Sequence, residues 1–562
     1  MALVGHLARD PTKDTPATPA DRLVRAYRRH GTRLSATLLG QYAAVLVDPL
    51  ERRLLLVQDS LGIHPLFYTL ERGRLVVSAN LETLVAFLRP ISLNETYFAE
   101  YLVNGFPPHQ PTPYSCIERL AFGTTLLIEP ARRIALQPWS PPMQQEQTRP
   151  EDAALRLRTL LDDAVSSTLP AEGRILCELS GGLDSTSVLA TAYRQRPDVQ
   201  ALTISSGRGM SGDDESFAGD AVNALGVQWH RIDGDLYPHC SSLPTHFSGE
   251  PGNEMKIALQ TAYRDVLARE GIDVVLTGSA GDVVFGYGSL RPIHLADALF
   301  RGHLLTGIKA ARKWSHHAGG QRPWTHYFLH FGVLPAWRHL RRQSLIIHDG
   351  DRPPRWLAPD FARRHGFDGS ASLQSAPRVS LPGSQYLWEG IYELAGHASP
   401  SFRLHLDADT RHPLFYRPLV EFMLGLDPNL RHGPEGDRVL QRKALVDRLP
   451  EAIRTRQTKG SDQQLSEKAQ MYNDRWYRAL TEDSHLVARG WVNPQRWRAQ
   501  VERARFGVYN GIASYNAAVM IEWWLRTIEC HPPEPSPQLY EPRVPAVQHP
   551  AHIRRPALVL SA

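Results

Sequence analysis

Cysteine is scarce in this chain. There are 4 in 562 residues (Cys116, Cys177, Cys240 and Cys530), far apart and without a CxxC pair. That argues against a disulfide scaffold and a cysteine-rich zinc site, and it suits a reducing compartment. An excess of one charge is lacking too. The 63 Lys and Arg against 58 Asp and Glu leave a net +5, which gives no reason to expect nucleic acid as a partner. Long apolar runs are missing: nothing approaches the roughly 20 residues of a membrane helix. The N-terminus MALVGHLARDPTKDTPATP has too short an apolar stretch for a secretion signal. The expectation is a cytoplasmic protein with no transmembrane segment, peripheral membrane contact staying open. No Walker A string (GxxxxGKS or GxxxxGKT) occurs, which disfavours P-loop NTPase chemistry. What remains is ordinary globular composition, 42% hydrophobic and 22% charged, with length for two to four domains at ~100–200 residues each.

Composition breaks divide the chain into four parts: 1–140, a Pro- and Gln-rich linker at 141–152, 153–530, and a Pro-rich tail at 531–562 expected to be loose or to wrap the surface. Before the linker, short β-type runs dominate: Tyr42–Asp48, Arg53–Gln58, Leu66–Leu70 and Leu75–Ser78. After it, strands at Arg174–Leu179, Ala201–Ser205, Trp229–Ile232 and Asp273–Thr277 alternate with helices at Leu183–Arg194, Glu215–Leu225 and Ile257–Glu270. That alternation predicts a parallel sheet covered on both faces. Beyond Leu290 the pattern is mainly helical.

The sharpest chemical signal is ILCELSGGLDSTSVLA, Ile175–Ala190. A buried strand ends at Leu179, and Ser180, Gly181, Gly182, Leu183, Asp184 and Ser185 lead into a helix. Two glycines allow a tight turn close to a ligand. The free N–H groups at the helix start favour an anion, and Ser180 and Ser185 add hydroxyl donors. Asp184 would repel a phosphate unless Mg²⁺ sits between them. A rival signal, Gly207–Gly212, matches GxGxxG with Asp233 beyond it. Asp213, Asp214 and Glu215 crowd the place its pyrophosphate would take, so it reads as a chance Gly-rich loop.

SGGLDS resembles the pyrophosphate loop of the ATP-pyrophosphatases, in particular the synthetase domain of the asparagine synthetase family. Leu276–Asp282 (LTGSAGD) is similar to that family's second nucleotide motif, with Val283 where Glu is usual. The resemblance implies ATP and Mg²⁺ as cofactors. Ser180, Gly181, Gly182, Asp184, Ser185, Thr277 and Gly278 would then be nucleotide-binding, with Asp184 and Asp282 the metal ligands. Asp409–Glu421 (DTRHPLFYRPLVE) looks like the family's ExRxPFLDxxLVE. In lactam-forming members that first acid helps a tyrosine deprotonate the amine, so the resemblance gives Asp409 this role, with Tyr386 or Tyr392 as partner. An ion pair of Asp409 with Arg411 or Arg403 is the competing reading. Leu449–Gly460 resembles LPxxIxxRxK with one extra residue, which makes Lys459 the lysine that binds phosphates and stabilises charge.

Gly40–Leu84 resembles the class II glutamine amidotransferase domain, through Asp59–Tyr68 (DSLGIHPLFY) and then Thr112–Gly123. That domain uses a cysteine at position 2. Here position 2 is Ala2, and no cysteine precedes Cys116, so glutamine hydrolysis is expected to be absent. The resemblance implies an Ntn-hydrolase-like αββα sandwich followed by a parallel-sheet α/β ATP-pyrophosphatase domain with a helical extension. Among branches without glutaminase, the match is nearest to lasso peptide macrolactam cyclases; β-lactam synthetases and ammonia-dependent asparagine synthetases are the alternatives. The cyclase branch implies a precursor core peptide as substrate, with a leader peptidase and a leader-binding protein as partners. The stretch Arg291–Leu345 carries nine Lys/Arg and one acid, Asp297, with Trp314, Trp324, Tyr327, Phe328, Phe331 and Trp337 interleaved. It reads equally as a grip for a folded peptide or as a basic outer face over a buried aromatic stripe.

Overall fold

The computed structural model describes residues 1–530 other than 9–17, 72–73, 89–90, 109–110, 131, 138, 142–147, 206–212, 243–246, 253, 287–291, 318–321, 346–352, 368–377, 402–407, 432–435, 459–464, 466–468, 470, 472 and 510, together with 558–561. The GxGxxG stretch and Lys459 lie outside the described residues.

The N-terminal part packs four layers. Strands β1 (Ala2–Leu7), β2 (Gly40–Asp48), β3 (Arg53–Gln58), β7 (Thr125–Glu129) and β8 (Arg132–Leu136) form one antiparallel sheet in that order. A second antiparallel sheet holds β5 (Arg74–Ser78), β4 (Phe67–Glu71) and β6 (Glu118–Arg119). The period of two along each strand sorts side chains between layers. Tyr42, Ala44 and Leu46 of β2 meet Leu23 and Ala26 of the helix Pro19–His30. Ala43 and Val45 face the second sheet at Tyr68, Leu75 and Val77. That sheet's other side, Phe67 and Val76, meets Leu81, Leu84 and Tyr97 from the helices Leu81–Leu88 and Glu95–Asn104. Helix, sheet, sheet, helix is the expected αββα sandwich. The last described residues, β14 (Leu558–Ser561), pair antiparallel with β5, so the end of the tail extends the second sheet.

The second part is a parallel sheet in the order β11 (Trp229–Asp233), β10 (Gln200–Ser205), β9 (Ile175–Glu178), β12 (Val274–Leu276), β13 (Asp409–Arg411). Both faces are covered, as the apolar strands demand. Leu176, Leu202, Ile232 and Val275 pack on the helix Ile257–Glu270, while Ile175, Cys177, Val274 and Leu276 pack on Pro150–Thr168 and Leu183–Gln195. Pro150 stands at the first helical position of Pro150–Thr168, where its missing N–H costs nothing. That helix therefore takes up the end of the segment expected to be linker. The chain runs outward from β9 to β10 and β11, then returns to β12 on the other flank. The switch point lies between β9 and β12, and ligands of open α/β sheets bind at the carboxyl ends of the strands there.

The helical extension reaches back to the N-terminal part, with Phe98 stacked on Trp491 at 4.7 Å between ring centroids. A second tie is polar. Gln41 Nε2 donates to the His412 carbonyl at 2.6 Å, and the His412 N–H donates to Gln41 Oε1 at 3.1 Å. Both residues are buried.

Candidate active site

The loop Leu179–Gly182 follows β9 and opens the helix Leu183–Gln195. Its serines knit the turn: the Ser180 N–H donates to Ser185 Oγ at 3.2 Å, the two hydroxyls lie 3.1 Å apart, and the Gly182 N–H points to Ser180 Oγ at 3.4 Å. Gly181 is required. Its φ is +69°, and a Cβ there would sit 2.3 Å from the Asp214 carbonyl oxygen. Across the switch point, Thr277 and Gly278 follow β12. The Thr277 hydroxyl meets His412 Nδ1 at 2.8 Å and accepts from the Ser279 N–H at 3.2 Å. The next turn carries Ala280 at φ +77° and delivers Asp282 to the rim.

The two loops touch. A Cβ on Gly278 would lie 2.7 Å from the Ser185 backbone, and one on Gly281 would lie 2.2 Å from Asp184 Cγ. This contact brings Asp184 and Asp282 to a common cation, the buried Arg438. Its Nη1 donates to Asp184 Oδ2 at 2.9 Å and its Nη2 to Asp282 Oδ1 at 2.7 Å, while Gln441 Nε2 donates to Asp184 Oδ1 at 2.9 Å. A second cation braces the loop: Arg456 Nη1 donates to the Gly181 carbonyl at 3.1 Å, its Nη2 pairs with Asp214, and its guanidinium lies 4.2 Å from the Phe217 ring centre.

These residues wall a cavity of about 560 Å³, within the range of small-ligand sites. Its lining includes charged residues, Asp184, Asp282, Asp437, Arg438, Arg442 and Arg456 among them, and apolar ones such as Leu202, Ile204, Leu259 and Leu465. Tyr263 donates to Glu178 Oε1 at 3.2 Å. Burial, and then the Glu178 carboxylate, push the Tyr263 hydroxyl well above its usual pKa, so it stays a donor. A ligand with a planar apolar group and a polyanion is what such a lining accommodates.

Of the residues expected from sequence, Ser180, Gly182, Asp184, Ser185, Gly278 and Asp282 line this cavity, and Gly181 and Thr277 shape its two loops. Asp409 does not join them. It pairs with Val274 at the start of β12, the opposite end of the sheet from Thr277, and its carboxylate is held by Arg411 at 2.8–2.9 Å. Tyr386 and Tyr392 are also elsewhere: Tyr386 packs by Ile293 and Ala296, and Tyr392 lies against Phe122 and Trp388. Asp409 thus stands in the ion pair that was the competing reading, and the lining of this cavity does not include it. Arg438, Gln441 and Arg442 were not foreseen. The one signal for them in the sequence was electrostatic: two converging carboxylates need a counter-charge.

A model of the family described as asparagine synthase matches residues 156–526, about two thirds of the chain, and one described as a glutamine amidotransferase domain matches 8–140. The chain is 26% identical over 292 residues to the amidase chyE of Penicillium rubens, covering 48% of this chain and 43% of that protein. It is 22% identical over 271 residues to asparagine synthetase (glutamine-hydrolyzing) 1 of Bacillus subtilis, covering 47% and 42%. Each match thus spans less than half of the curated relative. Among solved structures, the NH3-dependent NAD synthetase of Campylobacter jejuni is 16% identical, covering 35% of this chain and 93% of that one, at a TM-score of 0.19, which supports no further argument. With most of its length inside the first of these matches, this chain belongs to the asparagine synthase family.

Proposed function

We propose that the protein is an ATP-dependent macrolactam synthetase of the lasso peptide cyclase kind. A side-chain carboxylate oxygen of an Asp or Glu in a precursor peptide attacks the α-phosphorus of ATP, and pyrophosphate leaves. The peptide's N-terminal amine then attacks the acyl carbon, AMP leaves with the bonding pair, and the amine loses a proton. Joining two ends of one chain makes the second step intramolecular, which is worth several kcal/mol of barrier. The observation that carries this reading is the convergence of Asp184 and Asp282 on one cation in a cavity whose lining also includes apolar side chains.

Mg²⁺ fits that place. Two carboxylates with room for phosphate oxygens are its usual protein ligands, and here a guanidinium already draws both. Asp184 and Asp282 would hold the ion, which would neutralise phosphate charge. The chain's own groups do the rest: the Ser180–Ser185 turn presents N–H and hydroxyl donors, Arg438 and Arg456 supply fixed positive charge, and the apolar side chains take the base. Lys459 would add a further cation to the phosphates. The first strand of the amidotransferase-like sheet carries Ala2, which has no nucleophilic atom; this supports an amine drawn from the substrate instead of from glutamine, with that domain kept as a support. A leader peptidase and a leader-binding protein would prepare the peptide.

The test is mass spectrometry of a peptide with a free N-terminus and an internal Asp or Glu, incubated with the full chain, ATP and Mg²⁺. The expected product is lighter by one water, and an N-acetylated peptide gives none. A small-molecule amide synthetase is the second reading, favoured by the similarity to asparagine synthetase 1. Conversion of aspartate and ammonia to asparagine, with the peptide untouched, would establish it instead.

A further inference from the structure

None of the residues lining the cavity comes from 291–345, yet this stretch has a marked surface of its own. Trp324–Tyr327 and Leu334–Leu340 join through a π-turn at Phe328–Val333 into one continuous helix. One side of it is packed. Gly332, Pro335, Ala336 and His339 are buried, a Cβ on Gly332 would lie 2.9 Å from Leu299, and the Phe300 ring stands edge-on to His339 at 5.1 Å. The other side is bare: Leu329, Val333, Leu334, Trp337 and Leu340 are 54, 41, 37, 47 and 67% exposed. Leu329, Val333, Trp337 and Leu340 recur every three to four residues and, with Leu334 beside Val333, make one stripe. The turn after Phe300 also leaves Leu304 and Leu305 exposed. Apolar surface gathered in this way marks an interaction site.

The exposed charges of the stretch itself have one sign. The only acid in 291–345 is Asp297. It is buried and accepts from the Gly383 N–H at 2.6 Å, so no carboxylate of this stretch reaches solvent. Lys309, Arg312, Lys313, Arg322 and Arg341 are exposed. The Arg341 guanidinium lies over the Trp337 ring at 5.3 Å, and that of Arg312 over Trp324 at 5.3 Å, so each cation sits directly on an aromatic face. Trp and Leu on the outer face of a helix, in a stretch whose own exposed charges are cations, is the pattern of helices that lie in a membrane interface. Among the described residues no helix is long and apolar enough to cross a membrane, so the contact is in the plane. We infer that this stripe seats the protein on the surface of an anionic phospholipid bilayer.

The experiment is flotation of the full chain with vesicles of phosphatidylcholine containing one quarter phosphatidylglycerol, and with phosphatidylcholine alone. The protein is expected to float with the anionic vesicles and to release at high salt. Replacing three cations (Arg312→Glu, Lys313→Glu, Arg341→Glu) is expected to weaken partition at least about tenfold. Leu329→Asn with Leu340→Asn, both at sites more than half exposed, is expected to do the same while the melting temperature holds. Absence from the anionic vesicles, equal flotation with phosphatidylcholine alone, or unchanged partition of either variant would overturn the inference. So would a dimer that the leucine variant splits while vesicles bind neither form, since a second copy would then be the occupant.

Discussion

Individual atoms decide the loop contact on which the site rests. At Gly281 the space for a side chain is already filled by the Asp184 carboxylate, whose Cγ would be 2.2 Å from a Cβ. Gly281→Ala must push that carboxylate off its place. The expected outcome is a rise of roughly tenfold or more in the KM for ATP, measured by initial rates, since misplacement by about an ångström is that costly. Asp409 gives the opposite expectation. Its side chain is 34% exposed and paired with Arg411, a pair worth about 0–1 kcal/mol, at the far end of the sheet. Asp409→Asn is expected to leave kcat within about threefold and stability within about 1 kcal/mol, checked by rates and denaturant melts; a loss of 10²-fold or more would restore its role in proton transfer. The two aspartates show what a motif can tell. Asp184 sits inside a strand–turn–helix, where local geometry fixes its place. Asp409 is placed by the register of β13 on β12, which pairs it with Val274 and leaves it three residues, roughly 10 Å, below Thr277. Arg438 was hidden for a related reason: its partners lie 254 and 156 residues away.

The elements themselves were more legible. Short β-type apolar runs between turn residues predicted β2 to β5 nearly residue by residue, and the alternation of strand and helix predicted β9 to β12 with their helices, because burial on both faces leaves a clear pattern. The edge strands β1, β6, β8 and β13 were not anticipated, and neither was the interior strand β7. Nor was the joint between the two parts, to which Gln41 contributes. Its amide satisfies both backbone groups of His412, whose ring contacts Thr277 in the second nucleotide loop. Gln41→Ala would strand a buried N–H and a buried carbonyl, at about 1–3 kcal/mol each. The expected result is a melting temperature lower by several degrees together with weaker ATP binding, read by calorimetry; a loss of stability with ATP affinity intact would uncouple the amidotransferase-like sandwich from the site.

Over the whole molecule, buried carboxyls set the response to pH. Burial pushes Asp59 up to about 7 despite backbone N–H donors from Leu61, Tyr42 and Ile63. It pushes Glu254 up to about 7 and Asp297 to about 6. A carboxyl raised in the native state holds its proton there while the unfolded chain has lost it. Its contribution is thus full below about pH 4 and is lost as pH rises through about 7. His6, lowered by burial, acts in the other sense as pH rises toward its ordinary value. The expected outcome is that Asp59→Asn flattens the fall in stability between about pH 4 and 7 by a few kcal/mol, seen in urea titrations at several pH values. An unchanged slope would mean that Asp59 is ionised in the native state.

The central claim is that the turn after β9 and the loop after β12 together hold the triphosphate while a carboxylate is activated. The most direct measurement is the nucleotide product formed by the full chain with peptide, ATP and Mg²⁺, compared with Asp184→Asn. The account predicts AMP and pyrophosphate in equal amounts from the native protein and a fall of at least about 10²-fold in the variant. ADP and phosphate as products, or turnover undiminished in Asp184→Asn, would contradict it.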